Sequence, residues 1–171
     1  MDNTATAFLL NVGFIVNESI GYSETFNFEF PQIIFDDDFK LDDFVSEVSI
    51  HRSNDGLSVQ AKFGASTELV CGRCLESFVY LFECEFSELY TFSSQADADT
   101  ELKLPASNII NLAPLVREYA ILAIPLSPLC RDDCHGLCPV CGVNRNVEAC
   151  DCKTELIDSR MAVLKSLLDD E

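Results

Sequence analysis

Val48-Ser49-Ile50-His51-Arg52-Ser53-Asn54-Asp55-Gly56-Leu57-Ser58-Val59 is the stretch from which the fold is read. On either side of its centre apolar and polar side chains alternate, Val48 and Ile50 around Ser49, Leu57 and Val59 around Ser58. That period of two belongs to a strand with one buried face. Between the two runs, Ser53-Asn54-Asp55-Gly56 collects residues that tolerate the positive φ of a tight turn. The segment predicts a hairpin. Outward from it, residues 6–16, 22–30, 44–52, 57–63, 66–71 and 78–92 are rich in Phe, Val, Ile, Thr and Tyr, partly alternate, and read as antiparallel strands.

The pattern changes downstream. Residues 93–103 are polar and read as a surface connection. Leu112, Leu115, Val116, Tyr119, Ala120 and Ala123 then recur at helical spacing, with Asn111 as N-cap, Pro114 in the first turn and an end expected before Pro125. A closing helix is expected from Ile157, Met161, Leu164, Leu167 and Leu168, capped by Asp158. The fold class is therefore α+β. An antiparallel β-rich region, residues 1–104, carries the first cysteine pair. Residues 105–171 hold a helix, a small cysteine-rich module and a C-terminal helix, and are expected to pack with the first region as one unit. Asp36-Asp37-Asp38 with Asp42-Asp43 lacks the spaced oxygen ligands of a calcium loop and reads as a solvated loop.

Composition narrows the function. The chain has 171 residues, 29 acidic against 11 basic, for a net charge of −18. With 48% hydrophobic residues, thirteen Phe and no Trp, it can bury a sizeable core. The acidic balance opposes unassisted binding to a polyphosphate, because such association is driven by Lys and Arg displacing counterions. The tail is the less repulsive part: residues 130–171 hold 9 acidic and 5 basic side chains, against 20 and 6 before them. The first ten residues carry no Lys or Arg ahead of their short apolar run, unlike a secretory signal, and no apolar stretch is long enough for a bilayer. A cytoplasmic protein is expected, with no membrane association and its oligomeric state open.

Nine cysteines in such a compartment stay reduced, which favours metal over disulfides. Cys138-Pro139-Val140-Cys141-Gly142 has the spacing of a zinc knuckle, and its glycine permits left-handed backbone after the second thiolate. Cys150-Asp151-Cys152 follows, two sulfurs on one face of an extended segment that can complete the tetrahedron. Four soft ligands select zinc over magnesium or calcium. Cys71-Gly72-Arg73-Cys74 repeats the knuckle spacing, and Cys130 with Cys134 supplies a second pair. Two readings stay open: two four-cysteine sites, or one site of Cys134, Cys138, Cys141 and Cys152 with the rest free. One or two structural zinc ions per chain are expected. Cys84, in a Phe-rich strand, reads as a small buried hydrophobe. His135, beside Cys134, is a substitute ligand or an exposed loop residue, and His51 lies on a strand.

Catalysis is poorly provided for. Zinc held by four thiolates keeps no position for water, so its role is architectural. Each such site carries net −2, which would take the chain to about −22. Arg131, Arg145 and Lys153 could offset that charge and donate to sulfur. There is no P-loop, dinucleotide-binding glycine pattern or nucleophile elbow. A thiol oxidoreductase would place Cys71-Gly72-Arg73-Cys74 at a helix start, whereas here the pair sits in β-like sequence.

These motifs, in this order, resemble the bacterial YceD family. The resemblance rests on Cys71-Gly72-Arg73-Cys74-Leu75-Glu76, Leu122-Ala123-Ile124-Pro125-Leu126, Cys134-His135-Gly136-Leu137-Cys138-Pro139-Val140-Cys141-Gly142-Val143-Asn144 and Cys150-Asp151-Cys152, and continues into Ile157-Asp158-Ser159-Arg160. It covers residues 66–168. Ser159 stands where the family often has Pro, and Arg145 where it often has Leu. The resemblance implies a non-enzymatic factor for 23S rRNA accumulation or processing and large ribosomal subunit assembly. An acidic factor would act through a ribosomal protein or rRNA-processing factor with a basic surface. Direct RNA contact through Arg131, Arg145, Lys153 and Arg160 is the alternative, and a thiol redox sensor the remoter one.

Overall fold

The expected hairpin forms where alternation places it. In the structure, a computed structural model that describes residues 8–36, 39–92 and 102–152, strands β3 (Phe39–Arg52) and β4 (Gly56–Val70) pair antiparallel, with Ile50 opposite Val59 and Arg52 opposite Leu57. The turn is closed by Ser53, whose N–H donates to the Gly56 carbonyl at 2.9 Å and whose hydroxyl accepts from the Gly56 N–H at 3.1 Å. The residues with positive φ among those described are Gly21, Asp43, Leu75, Asn108, Gly136 and Gly142, so this turn uses none. Gly56 is required for another reason: a Cβ there would overlap the Tyr90 carbonyl oxygen.

Two further strands complete a four-stranded sheet in the order β2-β3-β4-β5, where β2 is Ser23–Asp36 and β5 is Ser77–Thr91. β2 pairs antiparallel with β3 from Ser23 opposite His51 onward. A two-stranded antiparallel sheet joins β1 (Leu9–Asn11) to β6 (Ile109–Asn111), with Leu10 opposite Ile110. The period of two sorts the long strands: Phe44, Val48 and Ile50 of β3, Leu57, Val59 and Phe63 of β4, and Phe82, Phe86 and Tyr90 of β5 are buried. They share one core with Phe8, Leu10, Val12 and Ile15. Phenylalanine fills it in place of tryptophan. Phe8 lies 5.5 Å from both Phe30 and Phe44, edge-on to each, and Phe44 stacks on Phe63 at 5.5 Å; such pairs add about 0.5–1.5 kcal/mol each beyond the area they bury.

After the single helical turn α1 (Gly13–Val16), helix α2 (Ala113–Ala123) buries Ala113, Leu115, Val116 and Ala120 in the same core. Pro114 sits in its first turn, as expected. Leu112 is the N-cap, and Asn111, one residue earlier, accepts the Ala113 N–H at 3.0 Å. The helix stops at Ala123 because Pro125 drives Ile124 into extended backbone, φ −78° and ψ 126°.

Several expectations differ from the structure. Residues 8–16 are not one strand: after β1 the chain makes a helical turn, α1 (Gly13–Val16), because Val12 and Ile15, three apart, are both fully buried. Segments 57–63 and 66–71 are a single strand, β4, running through Gly64-Ala65 and ending at Val70. Asp42 and Asp43 lie on β3 rather than in a loop, and Asp43, φ 52°, occupies a register shift between Asp42 and Val45. Residues 93–101 and the helix expected over 157–168 lie outside the described residues.

The chain divides into two compact units, Met1–Leu69 with Phe78–Pro128, and Val70–Ser77 with Leu129–Glu171. The division differs from a boundary at residue 104. Helix α2 belongs with the sheet because its apolar face lies in the sheet's core. The loop between β4 and β5 belongs with the cysteine-rich unit because its thiols meet Cys130 and Cys134.

Candidate metal centres

Both Cys-x-x-Cys segments fold into the same loop. In the first, the Leu75 N–H donates to the Cys71 carbonyl at 3.0 Å and the Cys71 N–H to the Glu76 carbonyl at 2.9 Å. In the second, the Gly142 N–H donates to the Cys138 carbonyl at 2.8 Å and the Cys138 N–H to the Val143 carbonyl at 2.8 Å. The residue after the second cysteine is left-handed in both, Leu75 at φ 60° and Gly142 at φ 76°. The glycine answers the sequence expectation. The leucine does not follow from its own propensities, since a side chain at positive φ costs about 1–2 kcal/mol, but laying one Cys-x-x-Cys over the other would have assigned it.

Each loop meets a second pair of thiols. Cys71, Cys74, Cys130 and Cys134 form one group and Cys138, Cys141, Cys150 and Cys152 another; within each, all four sulfurs lie within 4.8 Å of one another. The structure thus brings together all eight cysteines singled out in the sequence, as two sets of four. Cys134 stands with Cys71 rather than with Cys138 and Cys141, so the single-site set of Cys134, Cys138, Cys141 and Cys152 is not the arrangement found. The physical reason is the β4–β5 loop, whose two thiols occupy the partners of Cys130 and Cys134.

The dimensions suit a tetrahedral ion. A zinc–sulfur bond of about 2.3 Å gives a sulfur–sulfur edge of about 3.8 Å; Cys71 Sγ to Cys134 Sγ is 3.8 Å and Cys74 Sγ to Cys130 Sγ is 3.7 Å. These distances are far beyond a disulfide bond, and all nine cysteines are free. The first group is the more enclosed, with Cys71, Cys74 and Cys134 buried and Cys130 half-buried; in the second Cys138 is buried, Cys150 and Cys152 half-buried and Cys141 exposed.

Electrostatics split the thiols of each group. Backbone amides of Cys130 and Cys74 bring the Cys71 thiol down to about 6, whereas burial and the adjoining thiols push Cys130 up to about 12. Burial alone would raise Cys134, but the Asn146 amide and the Gly136 N–H outweigh it and lower the thiol. In the second group the Cys141 and Val140 amides bring Cys138 to about 6, and the neighbouring Cys141 thiol, then burial, push Cys152 to about 12. Four sulfurs this close cannot all ionise against one another, and a divalent cation is the charge that lets them.

The surrounding contacts are specific. Gly136, φ 69°, packs against the Arg73 carbonyl, where a Cβ would come to 2.9 Å from the oxygen. That carbonyl accepts the Leu137 N–H at 3.0 Å, and the Arg73 guanidinium donates to the Cys134 carbonyl at 3.0 Å. Asn146 lies in the loop between Cys141 and Cys150. Its amide donates to Cys134 Sγ at 3.3 Å and to Asn144 Oδ1 at 2.8 Å, while its oxygen accepts from Arg131 and from the His135 N–H, each at 2.8 Å. Of the cations expected near sulfur, Arg131 acts through Asn146 and pairs with Asp133 at 3.3 Å; Lys153 lies outside the described residues. His135 is exposed and belongs to neither group. Cys84 is half-buried against the core, its thiol raised by burial and directed at the Tyr119 carbonyl at 3.6 Å.

Comparison with known proteins agrees with this arrangement of motifs. The family described as large ribosomal RNA subunit accumulation protein YceD matches residues 59–168, which include all eight clustered cysteines. An uncharacterised protein of Mycobacterium tuberculosis is 30% identical over 129 residues, 73% of this chain and 62% of the relative, so the chain spans about three fifths of the mycobacterial proteins it matches. The Bacillus subtilis protein YlbN is 28% identical over 157 residues, 85% of this chain and 91% of the relative. No solved structure matches significantly.

Proposed function

The chain belongs to the YceD family, and from that premise we propose that it is a non-enzymatic zinc protein that supports accumulation of large-subunit ribosomal RNA in the cytoplasm. The observation that carries the reading is the pair of four-thiol groups, each within 4.8 Å. Four sulfurs per ion close the coordination shell, so the metal holds loops in place and has no site for water or substrate. Zinc is the ion that soft thiolates in this geometry favour. Within the described residues no helix is long and apolar enough to cross a membrane.

The partner we infer is a protein with a basic surface. The outer face of the four-stranded sheet carries Glu29, Glu47, Glu83 and Glu85 around a shallow groove, with Lys62 bound to Glu85 at 3.5 Å. A face of that charge draws basic proteins and repels phosphate. Arg131 is tied to Asp133 and Asn146, which leaves it poorly placed to hold an RNA backbone.

Two measurements test the proposal. Metal analysis of protein purified without chelator should find two zinc ions per chain; none, with thiols intact, would overturn it. A salt titration against large-subunit rRNA fragments should show no tight binding. Affinity that falls steeply with salt would replace the protein partner with direct RNA contact.

A further inference from the structure

We infer that the two four-cysteine groups form one coupled metal-binding device, with Asn146 as the positioning residue through which loading of the second group prepares the first. The inference rests on the zinc reading above. Asn146 lies in the loop that joins the two halves of the second group, Cys138 and Cys141 on one side and Cys150 and Cys152 on the other. Its side chain nevertheless donates to a sulfur of the first group, Cys134 Sγ, at 3.3 Å.

The asparagine is held for that task from three sides. Asn144 Oδ1 accepts from both the backbone N–H and the amide of Asn146, at 3.0 and 2.8 Å. Arg131 and the His135 N–H, which flank Cys134, both donate to its oxygen at 2.8 Å. Its amide orientation is therefore dictated: with the oxygen taken by two donors, the nitrogen faces the sulfur. A hydrogen bond to a ligating sulfur fixes where that sulfur sits and how it is oriented toward the ion.

Backbone contacts carry the same coupling. Cys134 of the first group and Cys138 of the second are four residues apart, and the segment between them is pinned at both ends of the device. Leu137 donates to Arg73 in the first loop at 3.0 Å, while Arg145 in the second group's loop donates to the Gly136 carbonyl at 2.9 Å. Leu137 and Asn144 also form an isolated bridge. An ion that closes the second group fixes residues 143–149 between its ligands. It thereby fixes Asn144, Arg145 and Asn146, and with them the Cys134 region. The entropy of ordering that region is then already spent when the first group takes its ion, which is positive coupling, and by linkage it acts in both directions.

The test is a cobalt(II) titration of the reduced, metal-free full chain, read by thiolate-to-metal and ligand-field absorption. The wild type should take up two cobalt ions per chain in one steep transition. Asn146→Asp keeps the oxygen for Arg131 and His135 but replaces the donor with a carboxylate; it should retain two sites while weakening the first by roughly 10- to 100-fold, separating the titration into two steps. Cys141→Ser with Cys152→Ser, which disables the second group directly, should weaken the first by a similar factor. Asn146→Ser, a smaller change, guards against misfolding and should give an intermediate separation. Two stepwise, independent sites in the wild type, or a first-group affinity unmoved when Cys141→Ser with Cys152→Ser disables the second group, would overturn the coupling and leave the zinc reading intact. Fewer than two cobalt ions in the wild type would instead overturn the zinc reading.

Discussion

Replacing Gly136 with alanine puts one methyl group against the backbone that frames the first cysteine group. The residue has φ 69°, where an L side chain costs about 1–2 kcal/mol. Its Cβ would come to 2.9 Å from the Arg73 carbonyl oxygen and 3.2 Å from Arg73 Cβ, and that oxygen already accepts from Leu137. Backbone cannot rotate aside, so overpacking adds about 1–3 kcal/mol. The stiffer unfolded chain returns about 0.4–1 kcal/mol. The net, about 2–4 kcal/mol, should appear as metal affinity, because in small thiolate modules binding energy is folding energy; at 1.4 kcal/mol per decade this is roughly 30- to 700-fold. Gly142→Ala is the control: φ is 76°, yet nothing lies within 4 Å of the new Cβ, so strain alone acts and the net loss is about 1 kcal/mol or less. Competition against a chelator of known affinity, with thiolate-to-metal absorption as the signal, compares the two. Equal losses for the two variants would refute the argument that close approach to Arg73, rather than φ, dictates the glycine.

Two more outcomes are expected. Apparent zinc affinity should rise as pH increases from about 6 to 8, since thiols that are protonated without metal, Cys130 and Cys152 at about 12 above all, must release protons to bind it; a pH-independent affinity in buffered competition assays would contradict the all-thiolate assignment. Tyr119→Phe keeps the 4.7 Å stack on Phe86 but loses the 2.6 Å hydrogen bond to Glu88, and denaturant melts should show a loss of about 1 kcal/mol. That hydrogen bond, then burial, hold the Tyr119 hydroxyl up at about 12. Its contribution is therefore full below pH 10 and is lost as pH climbs toward 12, so the wild-type advantage over Phe should vanish in strong alkali.

Much of the site could be read one residue at a time. Spacing alone marks Cys71, Cys74, Cys138 and Cys141 as knuckle thiols, because a Cys-x-x-Cys turn and its ion are local objects. Pairing was readable only as two open alternatives, two sites of four or the single set of Cys134, Cys138, Cys141 and Cys152, and the fold decided for the two. Cys71 and Cys134 are separated by strands β5 and β6 and helix α2, and which sulfurs come together depends on where those elements deliver them. Asn146 illustrates the same limit: it donates to sulfur only because the Cys134 region lies beside its loop.

In the sheet, the period of two in Val48-Ser49-Ile50 and Leu57-Ser58-Val59 determined strand, hairpin and buried face together, and Pro125 determined where helix α2 must end. These are short-range effects of backbone sterics and of burying every second side chain. Tertiary structure decided the rest. Gly56 is glycine because Tyr90, on another strand, presses its carbonyl there. Residues 8–16 bend into strand and helical turn because Phe8, Val12 and Ile15 must all reach one core. Eight thiols sort into two sets of four because the β4–β5 loop delivers Cys71 and Cys74 to Cys130 and Cys134, which leaves Cys138 and Cys141 to Cys150 and Cys152.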